Sequence, residues 1–290
     1  MHSFISSGLL PFPVLKVDLH CHSTASDGLL SPEAVARRAV DNGVDLFSLS
    51  DHDDLSGLPI AATVAGEYGM RFITGVEISV EWENAQVHIL GYNFAADDVT
   101  LNAGLQSIRD GRISRARRMS DELEKKLGLS GCFDGAMRYA ENPNLISRAH
   151  FARYLVEQGV CKEVRNVFES YLVPGKPGYV DHRWASLPES IGWIVGAGGI
   201  ASVAHPGRYK FSRKLMRQFL DEFKQAGGRA IEVVSGSHSA DNVAVFSRLS
   251  SEYGFLASCG SDFHGEGESY IDIGGTAPLP DGLTPIWEAF

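Results

Sequence analysis

The stretch KVDLHCH at residues 16–22 decides how the chain is read: it alternates like a short β-strand, yet carries two imidazoles, His20 and His22, two residues apart. Successive side chains of a strand point to opposite faces, so this pair is offered to one side. The stretch FLASCGSDFHG at residues 255–265 repeats the arrangement with Asp262 and His264. Unpaired burial of such groups in apolar strands would cost roughly 2–7 kcal/mol each, so they are expected to meet one another or a metal.

Outward from these two stretches, short β-like runs alternate with helix-like ones. A helix from Ser31, the strand DLFSLSDH, a helix near Leu58–Tyr68, RFITGVEISVEW and QVHILGYNF follow the first. Ser31 before Pro32 is an N-cap followed by proline at the first helical position, and Gly43 closes that helix. The rhythm returns after residue 185: a helix at Leu187–Val195, strand IASVAHPG, helix Ser212–Gln225, strand RAIEVVSG, helix Asp241–Tyr253 and the final strand stretch. This alternation is the βαβ signature. Residues 97–182 are rich in helix formers without strand alternation and read as a helical insertion. Within it Arg109, Arg112, Arg115, Arg117 and Arg118 precede Asp121, Glu122 and Glu124, a pattern that reads as a solvated charged face.

Composition bounds the functions. With 44% hydrophobic and 21% charged residues, the 290-residue chain lies in the ordinary globular range, and its net charge of −10 argues against stable binding of duplex nucleic acid. Cys21, Cys132, Cys161 and Cys259 form no C-x-x-C pair, which points to a reducing cytoplasm with neither zinc knuckle nor disulfide framework. Met1–Val14 lacks Lys and Arg and is broken by Pro11 and Pro13, unlike a secretory signal. The apolar run Ser190–Ala204 is interrupted by glycines and is too short to span a bilayer, so no membrane partner is expected.

His20, His22, His52, Glu77, His88, His205, Asp262 and His264 all fall in or just after predicted strands, where barrel enzymes place their chemistry. A ligand set of His, Asp and Glu without thiolate suits Mn²⁺, Zn²⁺ or Fe²⁺. Asp18 and Asp51, beside these residues in sequence, read as carboxylates that fix imidazole tautomers.

The motifs D-x-H-x-H-S (Asp18–Ser23), SDG (Ser26–Gly28), SDHD (Ser50–Asp53), GVEIS (Gly75–Ser79), AHPGRY (Ala204–Tyr209) and GSDFH (Gly260–His264) resemble the polymerase and histidinol phosphatase (PHP) family. NLISRAHFARYLVEQG, VPGKPGYV and AHPGRY resemble its branch of nucleoside 3′,5′-bisphosphate phosphatases. The resemblance implies an α/β fold, a distorted (β/α)7 TIM-like barrel of residues 16–96 and 183–290, with the helical insertion 97–182 capping the strand-end face. It further implies one ion at His20, His22, Glu77 and Asp262, with Glu77 bridging to a second at His88 and His205. A third would sit among Asp27, His52 and His264. The cofactor is then two or three divalent ions, manganese first among the candidates. Other members carry histidine where Asp27 stands, which bears on the third ion.

A phosphate substrate needs cations beyond the ions, and Arg148, Lys176 and Arg208 are the candidates, joined by Ser147 and His150 through local context. Arg148 and Lys176 are assigned to a remote phosphate, Arg208 to the metal face; His182 and His238 are left without a role. The expected substrate is a small phosphorylated nucleotide, and the reaction is metal-assisted hydrolysis with Glu77, Asp262 and His264 at the chemistry, His264 or a metal-bound water protonating the leaving group. Two other enzymes stay open, a 5′-3′ exonuclease on short RNA or DNA ends and a metal-dependent amidohydrolase, as does a metal-stabilised binding domain without activity.

Overall fold

Local chemistry starts the first helix where the sequence says it should. In the computed structural model, which describes residues 15–182 and 184–290, the Ser31 hydroxyl accepts from Ala34 N at the head of α1 (Pro32–Asp41). Gly43 follows its end at φ 71°, a conformation that a residue without Cβ adopts freely. Met1–Val14, with the stretch weighed as a signal, lie outside the described residues.

Strands β1 (Val17–Asp18), β2 (Leu46–Phe47) and β3 (Arg71–Phe72) form a small parallel sheet, with α1 and α2 (Leu58–Glu67) as its crossovers. A second sheet holds β4 (Gly75–Trp82), β5 (Ala85–Tyr92), β6 (Ala185–Ser186), β7 (Ile200–Val203), β8 (Ala230–Ser235) and β9 (Leu256–Gly260), in the order β6-β4-β5-β7-β8-β9. Helices α8 (Leu187–Gly196), α9 (Arg213–Gln225) and α10 (Ala240–Tyr253) connect its later strands. Backbone bonds join the two sheets on both sides. Leu19 N donates to Cys259 O at 3.1 Å and Asp262 N to His20 O at 2.7 Å, while Glu77 N donates to Asp51 O at 3.2 Å and Asp53 N to Glu77 O at 3.0 Å. The architecture is mixed α/β.

One strand departs from the βαβ expectation. β5 runs antiparallel to both β4 and β7. Its hairpin turn is Glu83–Asn84, both at positive φ (48° and 61°), the two-residue geometry whose twist matches flanking strands. The chain therefore reverses here without a crossover helix.

The main core collects Leu19, Phe47, Ile78, Ile89, Val203, Ile231 and the inner faces of the surrounding helices, including Leu101, Leu105 and Ile108 of α3 (Val99–Arg109). A second core lies in α4 (Arg112–Leu127), α5 (Cys132–Met137), α6 (Arg148–Glu157), α7 (Val164–Val167) and the segment after it, built on Met119, Leu123, Phe151, Leu155, Val167 and Leu172. Core membership thus changes between Ile108 and Ala116. No helix of the described residues is long and apolar enough to cross a membrane.

Candidate metal centre

Because Glu77 sits mid-strand on β4 with no exposed surface, its carboxylate must find partners inside the protein, and it finds imidazoles. Oε1 lies 2.8 Å from His88 Nδ1 and 2.9 Å from His205 Nε2; Oε2 lies 3.3, 3.2 and 3.2 Å from nitrogens of His20, His22 and His52. Asp262 Oδ1 adds contacts of 3.5 and 3.3 Å to His20 and His22. Beside them Asp27 Oδ1 faces His264 at 3.5 Å and His22 and His52 at 4.0 Å each.

The strand geometry accounts for the convergence. His20, His22, His205, Asp262 and His264 follow the C-terminal ends of β1, β7 and β9. Glu77 and His88 lie inside strands: Glu77 on β4, and His88 in the middle of β5, whose reversed direction brings it opposite Ser79 on β4. Backbone strain accompanies the site. His205 (φ 25°), Asp262 (φ 54°) and Asp53 (φ 52°) are non-glycine residues at positive φ, a conformation that costs about 1–3 kcal/mol each and persists only where surroundings enforce it. Gly260 is small because His20 is so near: a Cβ there would lie 2.3 Å from that of His20.

The donor set fits divalent cations. His20 Nε2, both ring nitrogens of His22, Asp27 Oδ1, His52 Nδ1, Glu77 Oε2, His205 Nδ1 and both oxygens of Asp262 are buried without a hydrogen bond. Four groups of close donor atoms emerge: His22 with Asp27, His52 and His264; His20 with His22 and Asp262; His20 with Glu77 and His205; and His52 with Glu77 and His88. All nine expected ligands come together among the described residues, although His20, His22, His52 and Glu77 each reach two groups and His88 and His205 fall in different ones.

Electrostatics in the absence of cations follows from this crowding. Burial alone would raise the Glu77 pKa, but His52, His88 and His20 hold it well below the carboxylate range. Burial also opposes ionisation of Asp262, and Arg208 and His20 overcome it. For His22 burial favours the neutral ring, yet Asp262 and Glu77 raise its pKa to about 10. His205 is lowered to about 4 by burial and by Arg208.

Asp18 and Asp51 do not bond to imidazole rings. Asp18 accepts from His20 N (3.2 Å), Ser261 N (2.9 Å) and Gly274 N (2.7 Å), and Asp51 from Ser23 N (2.7 Å) and the Ser26 hydroxyl (2.5 Å); burial pushes both up to about 6. The carboxylate that does set a tautomer is Glu232 on β8, absent from the expected site. Its Oε1 lies 3.0 Å from His20 Nδ1 and its Oε2 accepts from His205 N at 2.6 Å, so it fixes two candidate ligands at once. Its signal was the same as that of Glu77, one carboxylate inside an apolar strand.

At the cluster opens a cavity of about 1160 Å³ whose lining includes Asp27, His52, His88, Asp262 and His264 together with Arg112, Arg115, Ser147, Arg148, Phe168 and Arg208. Arg208 NH2 lies 2.6 Å from Asp262 Oδ2 with the side chain 47% exposed. Arg148 donates to Gln86 Oε1 at 3.0 Å, and Ser147 Oγ lies 3.4 Å from Asp27 Oδ2. His150 is buried, with Nδ1 accepting from Ser147 N at 3.0 Å, which makes it part of the α6 cap and keeps it out of the cavity. Lys176 is exposed on its turn and is not among the lining residues.

The arginines of α4 correct the sequence reading. Arg112 and Arg115 are buried, not solvated: Arg112 pairs with Asp53, Arg115 Nε donates to Val180 O at 2.8 Å, and both guanidiniums lie over Trp184. Burial, with Arg148 and Arg112 nearby, lowers Arg115 to about 9, the mark of a cation without a carboxylate of its own. His182 bonds Ile108 O at 2.9 Å, away from the cluster.

A 3′,5′-nucleoside bisphosphate phosphatase from Chromobacterium violaceum is 51% identical over 272 residues, 94% of this chain and 95% of that protein. A 5′-3′ exoribonuclease from Haemophilus influenzae is 41% identical, covering 95% and 99% of the two chains. Among solved structures, an amidohydrolase from Chromobacterium violaceum with bound sulfate superimposes with a TM-score of 0.92 at 50% identity, covering 94% and 95%. The PHP domain itself matches residues 18–234, and with these relatives it establishes that the chain belongs to the PHP family.

Proposed function

We propose that this protein is a metal-dependent hydrolase that removes the 3′-phosphate from nucleoside 3′,5′-bisphosphates and leaves nucleoside 5′-monophosphates. The observation that carries the reading is the pairing of two features in one cavity: buried carboxylates and imidazoles with unused lone pairs, and the guanidiniums of Arg112, Arg115, Arg148 and Arg208. The first suits divalent cations, the second an anion with more than one phosphate. Its 51% identical relative is named as a phosphatase of 3′,5′-nucleoside bisphosphates.

Two or three divalent ions, manganese first with zinc or iron(II) as alternatives, would be held by His20, His22, Glu77 and Asp262, by Glu77, His88 and His205, and by Asp27, His52 and His264. When bound, such ions polarise a phosphoryl oxygen and lower the pKa of water. Glu77, with His88 and His205 at one oxygen and His20, His22 and His52 at the other, would serve both of the sites that include it. Arg208 would turn from Asp262 toward the phosphate being cut, while Arg148, Arg112 and Arg115 grip the other one; that anchored group orients the reacting phosphorus. Lys176 would need a movement of its turn to take part. We further read the joined sheets as a distorted barrel of about seven strands, residues 97–182 as the insertion that caps it, and a cytoplasmic setting for its free cysteines.

A second reading has one observation in its favour. Ligand cavities commonly span about 300–1,000 Å³, and a larger one leaves room for an oligonucleotide end. An amidohydrolase reading gives no role to the arginines. The test is phosphate or nucleotide release, with Mn²⁺ supplied, from nucleoside 3′,5′-bisphosphates, monophosphates, phosphodiesters and short 5′-phosphorylated RNA. The reading requires the bisphosphates to be the best substrates, and preference for RNA ends would replace it with the second.

A further inference from the structure

We infer that His238 is a positioning residue for the turn His205–Arg208, which carries one candidate metal ligand and one candidate phosphate cation; the inference rests on the metal and phosphate roles proposed above. The turn is held in an unfavourable shape. His205 sits at φ 25°, ψ 56°, and such a backbone persists only where its surroundings fix it. Glu232 holds one side through His205 N. His238 holds the other, accepting from Gly207 N at Nε2 over 3.1 Å.

That bond settles the ring's chemistry. A backbone N–H can only donate, so Nε2 must carry a free lone pair, and the proton sits on Nδ1, which donates to Val233 O at 2.9 Å. The ring is further stacked on Phe246 of α10, with centroids 5.3 Å apart and planes at 24°. Gly207 has no side chain for the same reason: a Cβ there would stand 2.8 Å from the His238 ring. With Nε2 occupied and Nδ1 committed to the backbone, His238 has no proton to give a leaving group although it lines the cavity. Its work is done through Gly207, and so through His205 and Arg208 on either side.

Three variants separate this role from simple packing. Gln places an acceptor near the position of Nε2, Asn places its amide near Nδ1 only, and Phe keeps the stack without either bond. We expect His238→Gln to recover most of kcat/KM, within about threefold of wild type, while His238→Asn and His238→Phe lose about tenfold or more, the usual effect of removing a group that orients a metal ligand. Calorimetric titration of chelator-stripped protein with Mn²⁺ alone should show the same ranking in affinity, and this readout stands whatever the substrate proves to be. Melting temperatures check that the variants fold. Equal behaviour of Gln and Asn, or wild-type Mn²⁺ affinity and kcat/KM in His238→Phe, would overturn the inference.

Discussion

The α/β body and the helical segment from α4 to residue 180 each have a core of their own, and they contribute different groups to one cavity. The body supplies the buried carboxylates and imidazoles around Glu77; the segment supplies Arg112, Arg115 and Arg148. Ligands that share ions must be fixed to fractions of an ångström, which paired strands achieve through their hydrogen-bond ladders. Cations that grip a substrate tolerate a less rigid support, and a packed group of helices can present them. Changes in the body should therefore act on metal and turnover together, and changes in the segment on substrate choice.

The largest effect is expected at Glu77, where one side chain faces five imidazoles. Glu77→Gln should lower metal content and reduce kcat about a thousandfold or more, since charge stabilisation worth several kcal/mol is lost. Metal analysis beside phosphate release checks it, and a variant with full metal and turnover would remove Glu77 from the site. Glu232→Gln should act in the same direction more weakly, by about 10–100-fold in Mn²⁺ affinity, because its single carbonyl oxygen can serve His205 N or His20 Nδ1 but not both. Unchanged affinity there would mean that the two imidazoles hold their places without it.

The segment should behave differently. Arg148→Ala and Arg115→Ala each remove a charged hydrogen-bond donor worth about 1.5–3 kcal/mol, so hydrolysis of a nucleoside 3′,5′-bisphosphate should fall by roughly tenfold to a hundredfold. A nucleoside 3′-monophosphate should lose far less, and metal content should not change. Equal losses on both substrates would place these arginines on the reacting phosphate or in the fold, and would blur the division between the two regions.

What was legible in the sequence cuts across that division. His20, His22, Asp262 and His264 could be read directly, because imidazoles and carboxylates at period two inside apolar strands are costly to bury unless they share an ion or one another's charge. Glu232 carried that signal too, but a lone carboxylate in RAIEVVSG has no neighbour to announce it. The reversal of β5 lay in the turn Glu83–Asn84, where alternation continues through two strands with nothing between them to suggest a crossover. Arg112 and Arg115 were misread for a physical reason: charges at i, i+3 on a helix look alike whether that face meets water or a cavity. The distinguishing sign was their register with Met119 and Leu123, which puts them on the buried stripe of α4. Lys176, between two prolines and two glycines, has surroundings that favour a turn but do not aim a side chain.

The smallest effect on turnover, and the clearest on the segment's own stability, is expected from His150. It is buried at the first turn of α6, where Nδ1 accepts the Ser147 N–H, so its bond exists only while that nitrogen is unprotonated. Burial lowers its pKa from 6.5 to about 4, with the neighbouring Arg153 acting in the same direction and Asp27 against it. As pH falls through 6.5 the unfolded chain takes up a proton that the folded ring refuses, and stability declines until about pH 4. At 1.36 kcal/mol per unit the loss is about 3 kcal/mol at most, and it is absent at neutral pH. His150→Gln keeps a side-chain acceptor of the kind found at this position in capping boxes and does not titrate. Denaturant midpoints of chelator-treated wild type and His150→Gln, compared between pH 7.5 and 4.5, should separate as the pH falls, with the variant less acid-sensitive; the candidate ligand histidines are common to both and their contribution cancels in the difference. Parallel curves would show that α6 tolerates a protonated ring, and that acid acts on this protein through the strand-borne cluster alone.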